Sequence, residues 1–445
     1  MFIERNLTKD KSSSGAKCHA QETRLSKYCV PPEPRTVLVK PTGYKHFVPP
    51  RLPWPIAGLM TLLFFAILGA SGPATAQTKP DKDYLVYVLS EAADTISLIR
   101  FGPSGARVER EIPTGDMPTD IDGPHGIAVS RDKQFYYVSL GHGRPFGSVW
   151  KYSSKDDRVL GKTTLGFFPA TMDLNADGSL LYIVNFNLHG DMVPSSVSVV
   201  ATDPMLEVAR IPTCIMPHGS RLNPQGTKHY SACMMDDLLV EIDTQTLKVS
   251  RHFLLTKGHE LGMAGPPAIV KMKTSAAGGM KHMDMGGHGM EPPKPGDVTC
   301  SPTWAQPSTT GLSIFVACNR SDEIVEVDAT NWKVVRRIPA RAGVYNLATT
   351  HDGTRLLATN KRDQSVSIID LKTGGELARI PTRRKVLHGV VVSPDDRYAF
   401  VSVEGIGAEP GTVEIIDLAS LKIVASVDVA EQAAGIDFFR IEPAK

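Results

Sequence analysis

The densest group of potential metal ligands lies between residues 258 and 297. This segment contains six methionines and three histidines, and most of them fall in the run from Met280 to Met290. Thioether sulfur and imidazole nitrogen together favour Cu(I), and imidazole also suits Cu(II). The surrounding glycines and prolines predict an irregular loop, in which methionine gains little from burial. The segment therefore predicts copper binding, the alternative being a low-complexity loop without a ligand; the candidate ligands are His259, Met280, His282, Met283, Met285, His288 and Met290.

A second group of histidines occupies one position of a repeated pattern. The pattern consists of a triplet followed by a Val/Ile/Tyr-rich run that ends 16 residues after the first residue of the triplet. Six copies occur, and they start 45, 48, 85, 42 and 43 residues apart, so that the third interval holds the insertion. Three of the triplets contain a central histidine: Pro124-His125-Gly126, Pro217-His218-Gly219 and Leu387-His388-Gly389.

A period near 45 residues with four short strands is typical of one β-propeller blade. The chain ends supply a seventh blade. Tyr84–Ser90, Thr95–Arg100 and Val108–Ile112 read as its second to fourth strands, and residues 434–438 read as its first. Pairing the N- and C-terminal strands closes the ring and removes an exposed sheet edge. We therefore expect an all-β fold, a seven-bladed β-propeller within residues 77–445.

The repeat also carries a family resemblance. The stretch from Ser393-Pro394-Asp395 to Val401 and the strand Val366–Asp370 resemble the YVTN-type β-propeller repeat family. The resemblance covers essentially the whole chain after residue 77 and implies the fold. It implies no single function, because this scaffold carries many different roles.

The 16-residue spacing places the triplet and the end of the second strand at the same rim of the central channel. His125, His218 and His388 are thus expected around the channel mouth, where a metal or small anion could reach all three. The alternative is that each imidazole hydrogen-bonds neighbouring backbone and closes the channel. His252 and His351 fall outside the repeated position and are expected at the surface. Other polar side chains predicted at the rim are His142, Asn185, Tyr345, Asn360 and Glu404.

Four cysteines follow residue 77. Cys214 and Cys300 shortly precede a first strand, and Cys233 and Cys318 end a second strand. Disulfides Cys214–Cys233 and Cys300–Cys318 are therefore geometrically plausible in an oxidising compartment. The alternatives are a Cys233–Cys318 bond between adjacent blades, or thiolate ligation beneath the Met/His-rich segment.

The N-terminal region indicates export. Residues 1–51 form a basic extension with ten Lys/Arg against four Asp/Glu, and residues 52–76 contain a short apolar core ending in Ala74-Thr75-Ala76. This pattern is typical of a secretory signal peptide, so we expect a periplasmic or secreted protein with no membrane span after cleavage. The whole chain has a net charge of only +2, which provides no footprint for nucleic-acid binding.

These features favour an exported metal-binding propeller, with copper as the cofactor, acting in copper handling or as a copper-dependent oxidoreductase. Bacterial methanethiol oxidases of the selenium-binding-protein type are similar propellers with His-bound copper, although only scattered histidines match. A second hypothesis is a non-catalytic scaffold of the cell envelope that binds a periplasmic protein partner. A third is a lactonase-like hydrolase, which the scarcity of acidic residues at the channel disfavours.

Overall fold

The structure, a computed structural model, describes residues 79–117, 119–142, 146–268 and 296–445. The proposed extension 1–51, the signal peptide 52–76 and the ligands Met280–Met290 lie outside these residues. Within them the chain forms 29 strands and one short 3-10 helix, Glu91–Ala93. The strands build seven antiparallel sheets, which confirms the predicted seven-bladed β-propeller. No helix in the described part of the chain has the length and apolar character needed to cross a bilayer.

Blades 1 to 4 follow one another along the chain. Blade 1 contains β1 (Lys82–Ser90), β2 (Thr95–Gly102) and β3 (Gly105–Pro113). Blade 2 contains β4 (Pro124–Val129), β5 (Phe135–Leu140), β6 (Ser148–Ser153) and β7 (Val159–Thr164). Blade 3 contains β8 (Pro169–Leu174), β9 (Leu180–Asn185), β10 (Pro194–Ala201) and β11 (Leu206–Ile215). Blade 4 contains β12 (Pro217–Leu222), β13 (Lys228–Cys233), β14 (Leu238–Asp243), β15 (Lys248–Leu254) and β16 (Leu261–Ala264).

Blades 5 to 7 complete the ring. Blade 5 contains β17 (Pro302–Pro307), β18 (Ser313–Cys318), β19 (Glu323–Asp328) and β20 (Lys333–Pro339). Blade 6 contains β21 (Val344–Thr349), β22 (Arg355–Asn360), β23 (Ser365–Asp370) and β24 (Glu376–Pro381). Blade 7 contains β25 (Val386–Val392), β26 (Tyr398–Glu404), β27 (Pro410–Asp417) and β28 (Lys422–Glu431). The last strand, β29 (Ala433–Pro443), returns to blade 1.

Ring closure occurs through β29. This strand pairs antiparallel with β1 from Lys82↔Pro443 to Ser90↔Ala433, so the chain ends supply the innermost strand of blade 1. Each innermost strand contacts those of the two neighbouring blades, in the order β29, β4, β8, β12, β17, β21, β25 and back to β29. The predicted closure is confirmed, and it leaves blade 1 with a paired inner edge.

The apolar core consists of seven clusters, one at each interface between neighbouring blades. Strand β1 shows why the sequence folds this way. Leu85, Tyr87 and Leu89 pack against blade 2, whereas the alternate residues Tyr84, Val86 and Val88 pack against blade 7. Because successive side chains point to opposite faces of a strand, a blade buried on both faces needs a continuous apolar run.

The first residues of the insertion after blade 4 have a different structure from the one expected. An irregular segment was expected from residue 258, but Leu261–Ala264 forms a fifth strand that pairs with β15 at the outer edge of the sheet. His252 was expected at the surface and is instead buried, because its Nδ1 lies 2.8 Å from the Gly265 carbonyl and its own carbonyl accepts the Trp332 indole N–H. His351 is exposed, as expected, with 55% of its side chain accessible.

Candidate metal centre

The three rim histidines occupy the same distortion in their innermost strands. The first residue of each triplet pairs with the end of the second strand, as in Pro124↔Leu140, Pro217↔Cys233 and Leu387↔Val403. Immediately afterwards two residues of the inner strand face one of its partner, which is a β-bulge. A bulge redirects a side chain out of the regular alternation. The histidine in each bulge therefore leaves the plane of its blade at the channel mouth.

The glycines after His125 and His218 are needed for close packing between blades. A Cβ on Gly126 would lie 2.0 Å from the Ala170 carbonyl oxygen, and one on Gly219 would lie 2.4 Å from the Thr303 carbonyl oxygen. Neither neighbour is a flexible side chain that could move aside. In each His-Gly pair the histidine supplies a side chain that can bind a metal, and the glycine leaves room for the innermost strand of the next blade.

The bulges bring His125, His218 and His388 together from blades 2, 4 and 7. All three side chains are buried, and each offers a ring nitrogen within 4.8 Å of those of the other two. The rings of His125 and His388 lie 5.2 Å apart between centroids, and those of His125 and His218 lie 6.2 Å apart. Three converging imidazoles could bind a metal ion such as copper or zinc.

Two of the histidines are oriented by acceptors on other blades. His125 Nδ1 lies 2.9 Å from a carboxylate oxygen of Glu91, and His218 Nδ1 lies 2.9 Å from the Thr303 carbonyl oxygen. A backbone carbonyl can only accept a hydrogen bond, and so can the Glu91 carboxylate when it is ionised. Nδ1 of His125 and Nδ1 of His218 therefore each carry the proton and donate it. Nε2 is then the nitrogen that carries the lone pair, and in His218 it faces the Tyr345 hydroxyl. Such hydrogen bonds commonly fix the ring and tautomer of histidine ligands in metal sites.

Glu91 also connects the cluster to a fourth histidine. Its second carboxylate oxygen lies 2.6 Å from His142 Nε2, and the Glu91 side chain is only 6% exposed. Burial alone would raise the pKa of Glu91, but the attraction and hydrogen bonds of His125 and His142 outweigh it and lower that pKa to about 2. The carboxylate is therefore ionised throughout the physiological range, and it keeps its two imidazole neighbours oriented.

Tyr345 lies between the other two histidines. Its hydroxyl oxygen is 3.0 Å from His218 Nε2 and 3.2 Å from His388 Nε2. Lys361 places its ammonium 3.8 Å from the centre of the Tyr345 ring and 3.6 Å from Glu404, and Glu404 lies 3.7 Å from His388 Nδ1. A phenol, an ammonium and a carboxylate thus border the cluster on the side of blades 6 and 7.

Burial sets the protonation of the cluster. It lowers the pKa of His218 to about 3 and that of His388 well below its usual range. Burial likewise raises the pKa of Glu404 and Tyr345 and lowers that of Lys361. Neutral imidazoles have the lone pairs that metal ligation requires. The cluster is therefore ready to accept a cation at neutral pH without first losing protons from His218 or His388.

The remaining predicted site residues lie elsewhere. Asn185 and Asn360 are buried within their own blades, where their amides donate to serine hydroxyls. His259 is 58% exposed and lies 3.6 Å from Asp297, away from the histidine cluster. The three other described rim candidates, His142, Tyr345 and Glu404, border the cluster as set out above.

The cysteines form the pairs Cys214–Cys233 and Cys300–Cys318. The position of Cys214 shortly before a first strand implied a bond within one blade, but the Cys214–Cys233 bond does not lie within one blade. Cys214 belongs to β11, the outermost strand of blade 3, because that strand continues to Ile215 directly before β12 begins. The bond therefore links blade 3 to blade 4. All four sulfur atoms are buried in the interfaces between blades, away from the histidine cluster.

Sequence reasoning missed Glu91 and Lys361, although a signal was present. Both directly follow a second-strand end that the 16-residue spacing marks as a rim position, Ser90 and Asn360, and Glu404 follows Val403 in the same way. In these three blades the residue at this position borders the histidine cluster. Extending the pattern by one residue, as the prediction of Glu404 did, would have identified Glu91 and Lys361 as well.

Comparison with known proteins identifies related folds only. No protein-family model matches the chain, and no curated protein matches its sequence. Among solved structures, the periplasmic gluconolactonase of Pseudomonas aeruginosa has a TM-score of 0.57 at 15% identity, over 80% of this chain and 99% of that one. A putative 6-phosphogluconolactonase from Bacteroides uniformis has a TM-score of 0.56 at 14% identity, over 80% and 99%.

A Kuenenia stuttgartiensis hydrazine synthase chain has a TM-score of 0.53 at 19% identity, over 73% of this chain and 92% of that one. At such identities the likeness establishes architecture and not activity. The chain is therefore a seven-bladed β-propeller, similar in fold to these proteins, with a buried cluster of three histidines at its channel mouth.

Proposed function

We propose that this protein is an exported β-propeller that binds a metal ion at His125, His218 and His388. The observation that carries the proposal is the convergence of three buried imidazoles from three blades, two of them oriented through Nδ1 by Glu91 and Thr303. Three protein ligands leave a coordination position open, an arrangement typical of metal sites that act on a substrate and not of closed structural sites.

We further propose that the metal is copper. Three imidazoles suit copper as well as zinc, iron or nickel, so the cluster alone does not select among them. The selection comes from the Met/His-rich segment between Met280 and Met290, whose thioethers favour Cu(I). A copper centre with an open position on a rigid scaffold favours a copper-dependent oxidoreductase over a role in copper handling alone. When bound, copper would supply one-electron chemistry, while Glu91 and the Thr303 carbonyl would keep the rings of His125 and His218 in place.

Two disulfides in the described residues support an oxidising compartment, and hence export. Fractionation of cells that express the full chain tests this point. We expect the mature protein in the periplasm, with an N-terminus near Gln77. A cytoplasmic protein that retains residues 52–76 would contradict export.

The metal proposal is tested by equilibrium competition against a Cu(I) chelator, using protein purified without added metal. Replacing Met280–Met290 by a Gly/Ser linker should weaken overall Cu(I) capture but leave one tight equivalent. His125→Ala, His218→Ala or His388→Ala in that background should remove the remaining equivalent. His351→Ala, an exposed histidine, is the matched control and should bind like its parent.

A further variant examines orientation. Glu91→Gln retains the shape of the side chain but loses the charge that faces His125 and His142, so we expect about 10- to 100-fold weaker metal binding. If the linker variant binds no copper while the same three alanine substitutions in the otherwise wild-type chain leave copper binding unchanged, the cluster is structural and the segment alone carries the metal. Tight binding of zinc but not copper by the cluster would retain the metal centre and reject the copper assignment.

A lactonase-like hydrolase is the second candidate. The solved neighbours include proteins named as a gluconolactonase and a putative 6-phosphogluconolactonase, and a three-histidine metal site can also activate water. Hydrolysis of gluconolactone by metal-loaded protein, lost in His218→Ala, would favour this activity over oxidation-reduction.

A further inference from the structure

A cavity in the propeller channel adjoins the histidine cluster. It is bounded by the innermost strands of the blades, and His125 and His388 form part of its wall. The other polar or aromatic side chains of the wall include Thr171, Arg221, Trp304 and Asn346. The cavity therefore adjoins two of the three clustered histidines.

Arg221 provides a positive charge in this cavity. It lies on β12 three residues beyond His218, and its guanidinium stacks on the Trp304 ring at 4.5 Å from the ring centre. One guanidinium nitrogen donates to the Ser220 carbonyl at 2.8 Å. No carboxylate among the described residues lies within salt-bridge distance of Arg221. Arginine prefers a planar anion that it can engage with two parallel hydrogen bonds.

The two aspartates nearest in the channel do not supply that anion. Asp173 accepts the backbone amides of Leu174 and Leu222 at 3.0 and 2.8 Å. Asp437 accepts those of Val129 and Phe438 at 2.7 and 2.8 Å. Both carboxylates thus hold neighbouring inner strands together, and each has its two oxygens engaged by backbone. Arg221 attracts both carboxylates, but neither lies within salt-bridge distance, so its guanidinium has no direct anionic partner among the described residues.

Two further wall residues have buried polar atoms without a hydrogen-bond partner. Trp304 is 4% exposed and its Nε1 has no partner, and Asn346 is 6% exposed and its Oδ1 has none. An unpaired buried polar atom is unfavourable, and such atoms are rare in native proteins. The indole nitrogen can only donate, and the Asn346 amide can present either its oxygen or its NH₂ group after rotation. A polar ligand in the cavity would give these two wall residues the partners that they lack among the described residues.

We propose that this cavity binds the carboxylate group of a small organic anion, with Arg221 and the Trp304 N–H as donors. The geometry requires no metal, so the anion site stands on the cavity alone. Its interpretation as the subsite for the substrate of the metal centre rests on the proposed function. On that reading the substrate is a small carboxylic acid whose other end reaches His125 and His388.

Titration of metal-free protein with sodium formate tests the site, with formamide as the neutral probe of the same size and sodium chloride holding the ionic strength constant. We expect a saturable rise in melting temperature and a saturable change in tryptophan fluorescence with formate only. Arg221→Gln should weaken formate binding at least tenfold. Arg107→Gln, a 48% exposed arginine of blade 1, should leave it unchanged.

Trp304→Phe retains an aromatic ring beneath Arg221 but lacks the N–H donor, so it should weaken formate binding by a smaller factor. This variant also keeps the test decisive if Arg221→Gln does not fold. An equal response to formamide, no saturable response to formate, or wild-type affinity in both variants would overturn the anion site. Formate binding in a protein that binds no copper would instead remove the proposed function and leave this site standing.

Discussion

Blade 1 contains one buried arginine that contacts a carboxylate on each of the other three strands of the sheet. Arg100 on β2 lies 2.8 Å from Asp83 on β1, 3.0 Å from Glu109 on β3 and 3.0 Å from Glu442 on β29. Because β29 comes from the C-terminus, these contacts join the two ends of the propeller. We predict that Arg100→Met, which retains the length of the side chain but not its charge, strongly destabilises the fold.

The expected loss of unfolding free energy in Arg100→Met follows from the exposure of the four charged side chains. The side chains of Arg100 and Asp83 are 3% and 2% exposed, whereas those of Glu109 and Glu442 are 24% and 18% exposed. Removing one partner of a buried ion pair costs about 3–5 kcal/mol, because the other charge stays unpaired away from water. The two glutamates can regain water and Asp83 cannot. We therefore expect a loss near the lower end, about 3 kcal/mol of unfolding free energy.

Arg107→Met is the matched control. Arg107 is 48% exposed and lies 3.2 Å from Glu109, so its loss should cost less than about 1 kcal/mol. Adding Asp83→Asn to Arg100→Met should recover part of the stability, because it removes the unpaired buried charge. Urea unfolding followed by tryptophan fluorescence measures all four proteins. Equal midpoints for Arg100→Met and Arg107→Met would refute the reasoning.

The same contacts predict a pH dependence. Hydrogen bonding to Arg100 lowers the pKa of Glu109; burial raises that of Glu442, but Arg100 and Arg440 outweigh burial and lower it. A carboxylate with a lowered pKa stabilises the fold above its ordinary pKa and loses that contribution as the pH falls. The stability difference between wild type and Arg100→Met should therefore be largest near pH 7 and shrink below about pH 4. A difference that persists at low pH would exclude these carboxylates as its source.

Three further predictions concern the rest of the ring. Cys300→Ala/Cys318→Ala opens a loop with a sequence separation of 18, so loop entropy predicts a loss of about 3 kcal/mol in urea unfolding, and reduction of the wild type, which also opens Cys214–Cys233, should cost more. Deleting residues 433–445 removes β29 and exposes the inner edge of β1, so soluble, cooperatively unfolding protein should be lost; a truncated chain that melts like wild type would contradict closure by β29. Burial, with a smaller contribution from Asp237, raises the pKa of Asp236 to about 6, so its contribution to stability is present at low pH and is lost as the pH rises through 6. Asp236→Asn should therefore raise the melting temperature more at pH 8 than at pH 4.5. Asp177→Asn, at an exposed turn where hydrogen bonds lower the carboxyl pKa, is the control and should shift the melting temperature about equally at both pH values, because Asp177 is ionised at both. Equal shifts at both pH values for Asp236→Asn would argue against a perturbed Asp236.

The number of blades was predictable because each blade repeats the same short sequence pattern, and the closure of the ring was predictable because the first blade lacks one strand of that pattern. The 16-residue spacing corresponds in all six complete copies to a backbone pair between the first and second strands, as in Pro169↔Asn185 and Val344↔Asn360. Strand pairing within a hairpin depends on residues near in the chain, so its register can be read from the sequence. The first strand of blade 1 was recognisable at the C-terminus for a different reason: the first blade lacks that strand, and residues 434–438 are the remaining strand-like run that could supply it.

Features that depend on contacts between blades were not predictable. The four residues of β16 have weak strand propensity and form a strand only because β15 offers an unpaired edge. His252 is buried because that strand and Trp332 cover it. Cys214 belongs to the outermost strand of blade 3, because β11 continues to Ile215. The sequence before Met216 contains no turn residue that would mark where this strand ends.

For the site, the sequence by itself determined that His125, His218 and His388 stand at one level of one rim, because each holds the same place in its repeat. Only the tertiary structure decided that their nitrogens converge within 4.8 Å, since that distance depends on the width of the closed ring. The partners that orient the rings, Glu91 from blade 1 and the Thr303 carbonyl from blade 5, lie 34 and 85 residues away in the chain. Contacts over such separations form only when the blades pack, because no local pattern brings these groups together.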